Sequence, residues 1–130
     1  MIVLDTHALI FDALAPERLS PAARAVIESA EATRSLVCSD VSLWEVAMLI
    51  ARDRLKVDVE TAKFLRDALA ARAIRVLSIT PEIAALAQSG AVPATDPADR
   101  LIAATALHHR ARLVTRDATL RAVEGLSTVW

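Results

Sequence analysis

Short apolar runs recur along this 130-residue chain, and each hands over to a longer segment punctuated like a helix. Met1–Leu4 stops abruptly at Asp5; Ser35–Ser39, Arg75–Ile79, Leu113–Thr115 and Leu126–Val129 are of the same kind. Brief runs that are apolar throughout, rather than alternating, suit strands covered on both faces. Between them the spacing predicts helices over Ala8–Ala15, stopped by Pro16, and from Ser20-Pro21 to about Ala32. Further helices are expected from Ser39 to about Leu55, over Val59–Ala73, from Thr80-Pro81 to about Ser89, over Pro97–His108 and over Ala118–Val123. Ser-Pro and Thr-Pro place a capping hydroxyl before a proline that fits the first helical position. Gly90–Thr95 is the clearest loop, and no strand pair is joined by a tight hairpin signal. Strand and helix therefore alternate, which predicts an α/β fold: a three-layer α/β/α sandwich around a mainly parallel sheet, as a single domain over residues 1–130.

Hydrophobic residues make up 55% of the chain, yet the only aromatics are Phe11, Trp44, Phe64 and Trp130. The core must therefore be built mainly from Leu, Ile, Val and Ala. Cys38 is the sole cysteine, which excludes an internal disulfide and fits a reducing compartment. Asp5 and His7 interrupt the first apolar stretch, so it does not read as a signal peptide, and no charge-free run is long enough for a bilayer. A soluble, cytoplasmic protein with no membrane association is expected. The net charge of −1 does not mark a nucleic-acid binder, although Lys56 and Lys63 are the only lysines among 15 basic residues and the rest are arginine. Arginine suits bidentate phosphate contacts, but an Ala- and Arg-rich composition reads equally as the product of a GC-rich genome.

Four carboxylates stand where a strand gives way to a helix or near a helix start: Asp5, Glu45, Asp99 and Asp117. Ligands of open α/β sheets bind beyond the carboxyl ends of the strands, and acids gathered there form a site for hard divalent cations with a preference for oxygen. Without a metal such a set repels itself and raises some of its pKa values. Each acid also has a plainer explanation. Asp5 and Asp117 fit N-caps, and Asp99 fits a first helical turn, where the helix dipole is expected to lower its pKa. Ser42 and Glu45 have the spacing of a capping box; if the helix instead begins at Ser39 or Asp40, Glu45 falls in the second turn beside Val46 and Trp44, both expected to face the core. Asp96, ahead of Pro97, reads as an N-cap and is assigned to structure. Thr115 could orient a metal-bound water or satisfy backbone locally, and the second is the favoured reading. His7 reads as a bystander near Asp5, and His108 and His109 as a helix end. The chain has no zinc spacing, nucleophile elbow or phosphate loop.

Taken together, MIVLDTHALI, SDVSLWEVAML, DPADRLIAATAL and LVTRD, in that order and spacing from residue 1 to about 120, resemble PIN-domain ribonucleases, particularly the VapC-type toxins of toxin–antitoxin systems that carry a Trp-Glu pair. The resemblance implies that Asp5, Glu45, Asp99 and Asp117 form an acidic quartet holding Mg²⁺ or Mn²⁺, with Asp5 and Asp99 as direct ligands and Glu45 and Asp117 positioning metal or water. Thr6 and Thr115 match polar positions flanking that quartet. It also implies metal-dependent endonucleolytic cleavage of single-stranded or looped RNA, a homodimer, and an antitoxin protein that covers the acidic pocket. One departure is the loop before DPADR: Val92-Pro93-Ala94-Thr95 stands where related chains often carry His-Gly, which puts loop-dependent RNA selection in doubt. A haloacid-type phosphatase would need a second Asp where His7 stands. A degenerate domain that binds protein or RNA without catalysis is the other reading, and the intact quartet argues against it.

Overall fold

The computed structural model describes residues 1–130. Its chain runs β1 (Ile2–Leu4), α1 (Thr6–Leu14), α2 (Pro21–Ala32), β2 (Leu36–Ser39), α3 (Asp40–Ala51), α4 (Thr61–Ala71), β3 (Arg75–Leu77), α5 (Pro81–Ala87), α6 (Pro97–His108), β4 (Arg112–Val114), α7 (Ala118–Arg121) and β5 (Thr128–Val129), with a 3₁₀ turn at Pro16–Arg18. The five strands form one sheet in the order β3-β2-β1-β4-β5, and every pairing is parallel. The expected three-layer α/β/α arrangement is thus present, with a sheet that is wholly rather than mainly parallel.

Alternation along each strand builds two cores. Leu4, Leu36, Cys38 and Val114 face one side, against Leu9 and Phe11 of α1, Ile27 of α2, Val46 of α3 and Phe64 of α4. Val3, Val37 and Leu113 face the other, against Ile83 of α5, Ile102 of α6 and Leu120 of α7. Burying each such Val, Leu, Ile or Phe is worth roughly 1.5–3 kcal/mol before the entropy of ordering is charged against it. The sheet has apolar cover on both faces, so its strands carry no outward polar stripe.

Helix boundaries shift for identifiable reasons. α1 begins at Thr6, ahead of the expected Ala8, because the Asp5 carboxylate accepts the Thr6 N–H at 2.8 Å and caps it. α3 ends at Ala51 rather than near Leu55, because Asp53 turns into the left-handed region at φ 55°. Arg34, Ala73 and Arg110 do the same after α2, α4 and α6, at φ 52°, 51° and 51°. In all four turns the next N–H returns to a carbonyl of the helix's last turn: Ser35 to Ala30, Arg54 to Leu49, Ile74 to Leu69 and Ala111 to Ala106. This closure usually employs glycine; with only Gly90 and Gly125 in the chain, L residues accept the strain instead.

β1 and β4 adjoin at the point where the order reverses: after β1 the chain moves outward through β2 to β3, then crosses back to β4 and β5. The crevice beyond the carboxyl ends of strands at such a reversal is where open α/β sheets bind ligands.

Candidate active site

A cavity of about 330 Å³ opens at this reversal, lined by Asp5, Glu45, Asp96, Asp99, Asp117, His7 and Arg116, with no hydrophobic side chain in its wall. All four carboxylates singled out from the sequence reach it. Asp5 follows β1 and is only 5% exposed. Capping and site are not alternatives for this residue: one carboxylate oxygen accepts from Thr6 N–H at 2.8 Å, the other from the Thr115 hydroxyl at 2.7 Å. Thr115 in turn accepts the Asp117 N–H at 3.1 Å. Its role is therefore wider than the local backbone one expected, since it joins the acid after β1 to the acid after β4. Asp117 caps α7, accepting the Leu120 N–H at 3.0 Å, and still borders the cavity.

Glu45 is not part of a capping box. α3 starts at Asp40 with Ser39 as its cap, the Ser39 hydroxyl accepting the Val41 N–H at 3.3 Å. Ser42 is fully buried and its hydroxyl pairs with that of Thr6 at 3.0 Å. Glu45 consequently lies in the second turn, with its Oε1 buried and without a hydrogen-bond partner. Val46 is buried as expected, whereas Trp44 is 62% exposed and points away from the core. A period of 3.6 turns neighbours about 100° apart, so Trp44 and Val46 cannot share one face.

Asp96 departs from its assignment to structure alone. It does cap α6, accepting the Asp99 N–H at 3.0 Å, yet it also walls the cavity. Carboxylate oxygens of Glu45, Asp96 and Asp99 all lie within 4.8 Å of one another. The sequence signal was the i, i+3 spacing of Asp96 and Asp99, which places both at one helix end. Arg100 does not neutralise them, because its guanidinium donates instead to the carbonyls of Ala87 and Ala94, at 2.7 and 2.5 Å, and ties down the segment before α6.

The electrostatics follow from this crowding. Burial raises the Asp5 pKa, opposed by the hydrogen bonds from Thr115 and Thr6. Burial also raises Glu45, opposed by the Thr6 hydroxyl and reinforced by repulsion from Asp5 and Asp96. Asp99 is pushed up to about 7 by burial and then by repulsion from Asp5, Asp96, Asp117 and Glu45. The helix-dipole expectation for Asp99 is thereby reversed: a dipole effect at a first turn is worth at most about 1–2 kcal/mol, and desolvation with four like charges exceeds it. The donor set fits a hard divalent cation. It is all carboxylate oxygen, it carries surplus negative charge, and one of its buried oxygens has no protein partner.

A parallel sheet in 3-2-1-4-5 order with acids converging at its reversal fits a PIN domain. The chain matches the PIN domain family over residues 2–126 and belongs to it. Ribonuclease VapC22 of Mycobacterium tuberculosis (strain ATCC 25618 / H37Rv) is a relative, 38% identical over 123 residues that make up 92% of this chain and 89% of that protein, in keeping with the VapC-type motifs. The fold is shared with solved structures of lower identity. One is VapBC2 from Rickettsia felis bound to a promoter DNA fragment, with TM-score 0.75 and 16% identity over 99% of this chain and 98% of that one. Another is FitAcB from Neisseria gonorrhoeae, with TM-score 0.64 and 23% identity over 100% and 97%.

Proposed function

We propose that this chain is a metal-dependent endoribonuclease and the toxin of a toxin–antitoxin pair. The observation that carries the reading is the cavity walled by five carboxylates, with the Glu45 Oε1 buried and unpaired beside them. The ribonuclease name of the 38% identical relative supports the activity. Asp5, Glu45, Asp99 and Asp117 would hold Mg²⁺ or Mn²⁺ directly or through water, with Asp96 as a fifth donor beside Glu45 and Asp99. A bound divalent cation supplies a water of lowered pKa and offsets charge on a phosphodiester.

The chain's own residues prepare that chemistry. Thr115 and the Thr6 N–H fix both oxygens of Asp5, so this carboxylate is oriented before anything binds. Asp99, pushed up to about 7, would give up its proton to hold a cation, so cation affinity would rise with pH through that region. Arg116 supplies the only fixed positive charge in the wall.

The biological partners belong to the same proposal: RNA as substrate, a second copy in a homodimer, and an antitoxin covering the cavity. Related folds in VapBC2 and FitAcB support it. No helix is long and apolar enough to cross a membrane, which is consistent with a cytoplasmic location. The deciding experiment is cleavage of a mixed RNA pool with Mg²⁺ or Mn²⁺, against EDTA and the Asp5→Asn and Asp99→Asn variants. Cutting that disappears with EDTA and in both folded variants is expected. Cutting that survives either would overturn the reading, and Mn²⁺ binding without any cutting would favour a binding-only domain.

A further inference from the structure

Arg116 stands in the wall of an acidic cavity and pairs with none of its carboxylates. The ion pairs of the molecule are Lys63–Asp67 and those of Arg72 with Asp12 and Glu31; Arg116 and Arg18 enter none. Both are exposed, and both are stacked on the same ring. The guanidinium carbon of Arg18 is 4.2 Å from the Phe11 centroid and that of Arg116 is 4.8 Å from it. Phe11 is 4% exposed, anchored in the core by α1. A ring face attracts a cation and takes up none of its hydrogen-bond donors. The stack therefore holds two planar forks in place with their donors unspent, beside a site rich in negative charge.

The placement is one-sided. Glu45 follows β2, and Asp96 and Asp99 open α6; Arg116 follows β4, on the opposite flank of β1, and Arg18 comes from the turn after α1. We propose that Arg18 and Arg116, held against Phe11, bind a backbone phosphate of single-stranded RNA next to the phosphate that lies at the carboxylates. This rests on the ribonuclease reading above. A guanidinium fork matches phosphate oxygens bidentately. A strand laid across the reversal then meets Glu45, Asp96 and Asp99 on one flank and the two guanidiniums, with Asp117 beside them, on the other, which sets its direction and register. A purely structural role, with two arginines shielding a core ring, would require neither free donors nor proximity to the cavity.

The test is binding of a fluorescent single-stranded oligoribonucleotide, by anisotropy in Mg²⁺ from low to moderate salt, in an Asp99→Asn background to suppress cleavage. Arg18→Gln, Arg116→Gln and Phe11→Leu are compared with Arg66→Gln, an exposed arginine of α4 outside the cavity wall. Each arginine variant should weaken binding and lower the slope of log affinity against log salt, and loss of both should lower it by about 0.7, the value for one phosphate contact on a single strand. Phe11→Leu should weaken binding in the same direction, and Arg66→Gln should change nothing. With the carboxylates intact, the same substitutions should not weaken Mn²⁺ binding and should raise KM for RNA more than they lower kcat. Unaltered affinity and slope in both arginine variants would overturn the proposal. So would unaltered RNA binding combined with lost antitoxin binding, which would assign the pair to a protein carboxylate. Wild-type protein that cuts no RNA would defeat the ribonuclease reading instead, and the salt slope would still report on the arginines.

Discussion

Two regions of this molecule gather acidic side chains from separate helices, and they are treated in opposite ways. At the junction of α1, α2 and α4, Arg72 donates to both oxygens of Asp12, at 2.9 and 3.1 Å, and to Glu31 at 2.6 Å. Asp12 is almost entirely covered there, its side chain 6% exposed, and every charge has a partner. At the sheet reversal five carboxylates meet with no paired cation, and one buried oxygen has no partner at all. Both clusters are acidic and partly buried, so neither burial nor charge marks the functional one. Pairing does: acids closed by a cation of their own hold helices together, whereas five without one cost stability unless a ligand completes them.

The sharpest way to break that comparison is to remove one charged group from each cluster. Asp99→Asn should lower RNA cleavage by about 100-fold or more, at least the loss seen when a supporting residue of a metal site is removed, while raising the melting temperature of the metal-free protein at pH 8. A folded variant that keeps its activity would remove Asp99 from the site. Arg72→Ala should do the reverse. It leaves Asp12 covered and unpaired, costs about 2 kcal/mol in urea unfolding, and leaves the activity of the folded fraction unchanged.

Thr115→Val tests the bridge between the two acids that flank the reversal. Losing the hydroxyl on Asp5 should cost about 1–2 kcal/mol and roughly 10-fold or more in cleavage; a stability change with full activity would confine Thr115 to structure. The pH dependence of the metal-free fold follows from Asp99. Its folded pKa of about 7 lies above the ordinary 3.8, so the folded state holds a proton that the unfolded chain releases. Stability from this group is present below pH 3.8 and is lost as pH rises toward 7. Melting in EDTA should accordingly drop between about pH 4 and 7, less so in Asp99→Asn, and Mg²⁺ should restore it most at the alkaline end. An identical pH slope in the variant would contradict the assignment. The smallest effect is expected at Ala73, directly after Arg72, which occupies φ 51° without being glycine. Ala73→Gly should add about 1 kcal/mol without touching cleavage.

How much of this was readable beforehand depends on how local each signal is. Asp5 and Asp117 were legible because strand, acid and helix follow one another directly, and the parallel sheet determines which end of the strands they occupy. Glu45 depended on whether α3 starts at Ser39 or Ser42, a difference decided when Ser42 is withdrawn into a buried bond with Thr6. Asp96 was set aside because its capping bond is real; only the approach of α3 to α6 brings Glu45 near it. Hydrophobicity alone points Trp44 inward, and the helix phase set by Val46 puts it outside.

From the residues alone came the alternation of elements, the two-sided burial of the strands and the handover acids, all of which depend on neighbours a few positions apart. Tertiary structure alone decided that Arg72 closes one acidic cluster while Arg100 spends its donors on backbone and Arg116 stacks on Phe11. Guanidiniums on flexible stems choose among partners that folding brings within reach, and no spacing in the chain encodes that choice.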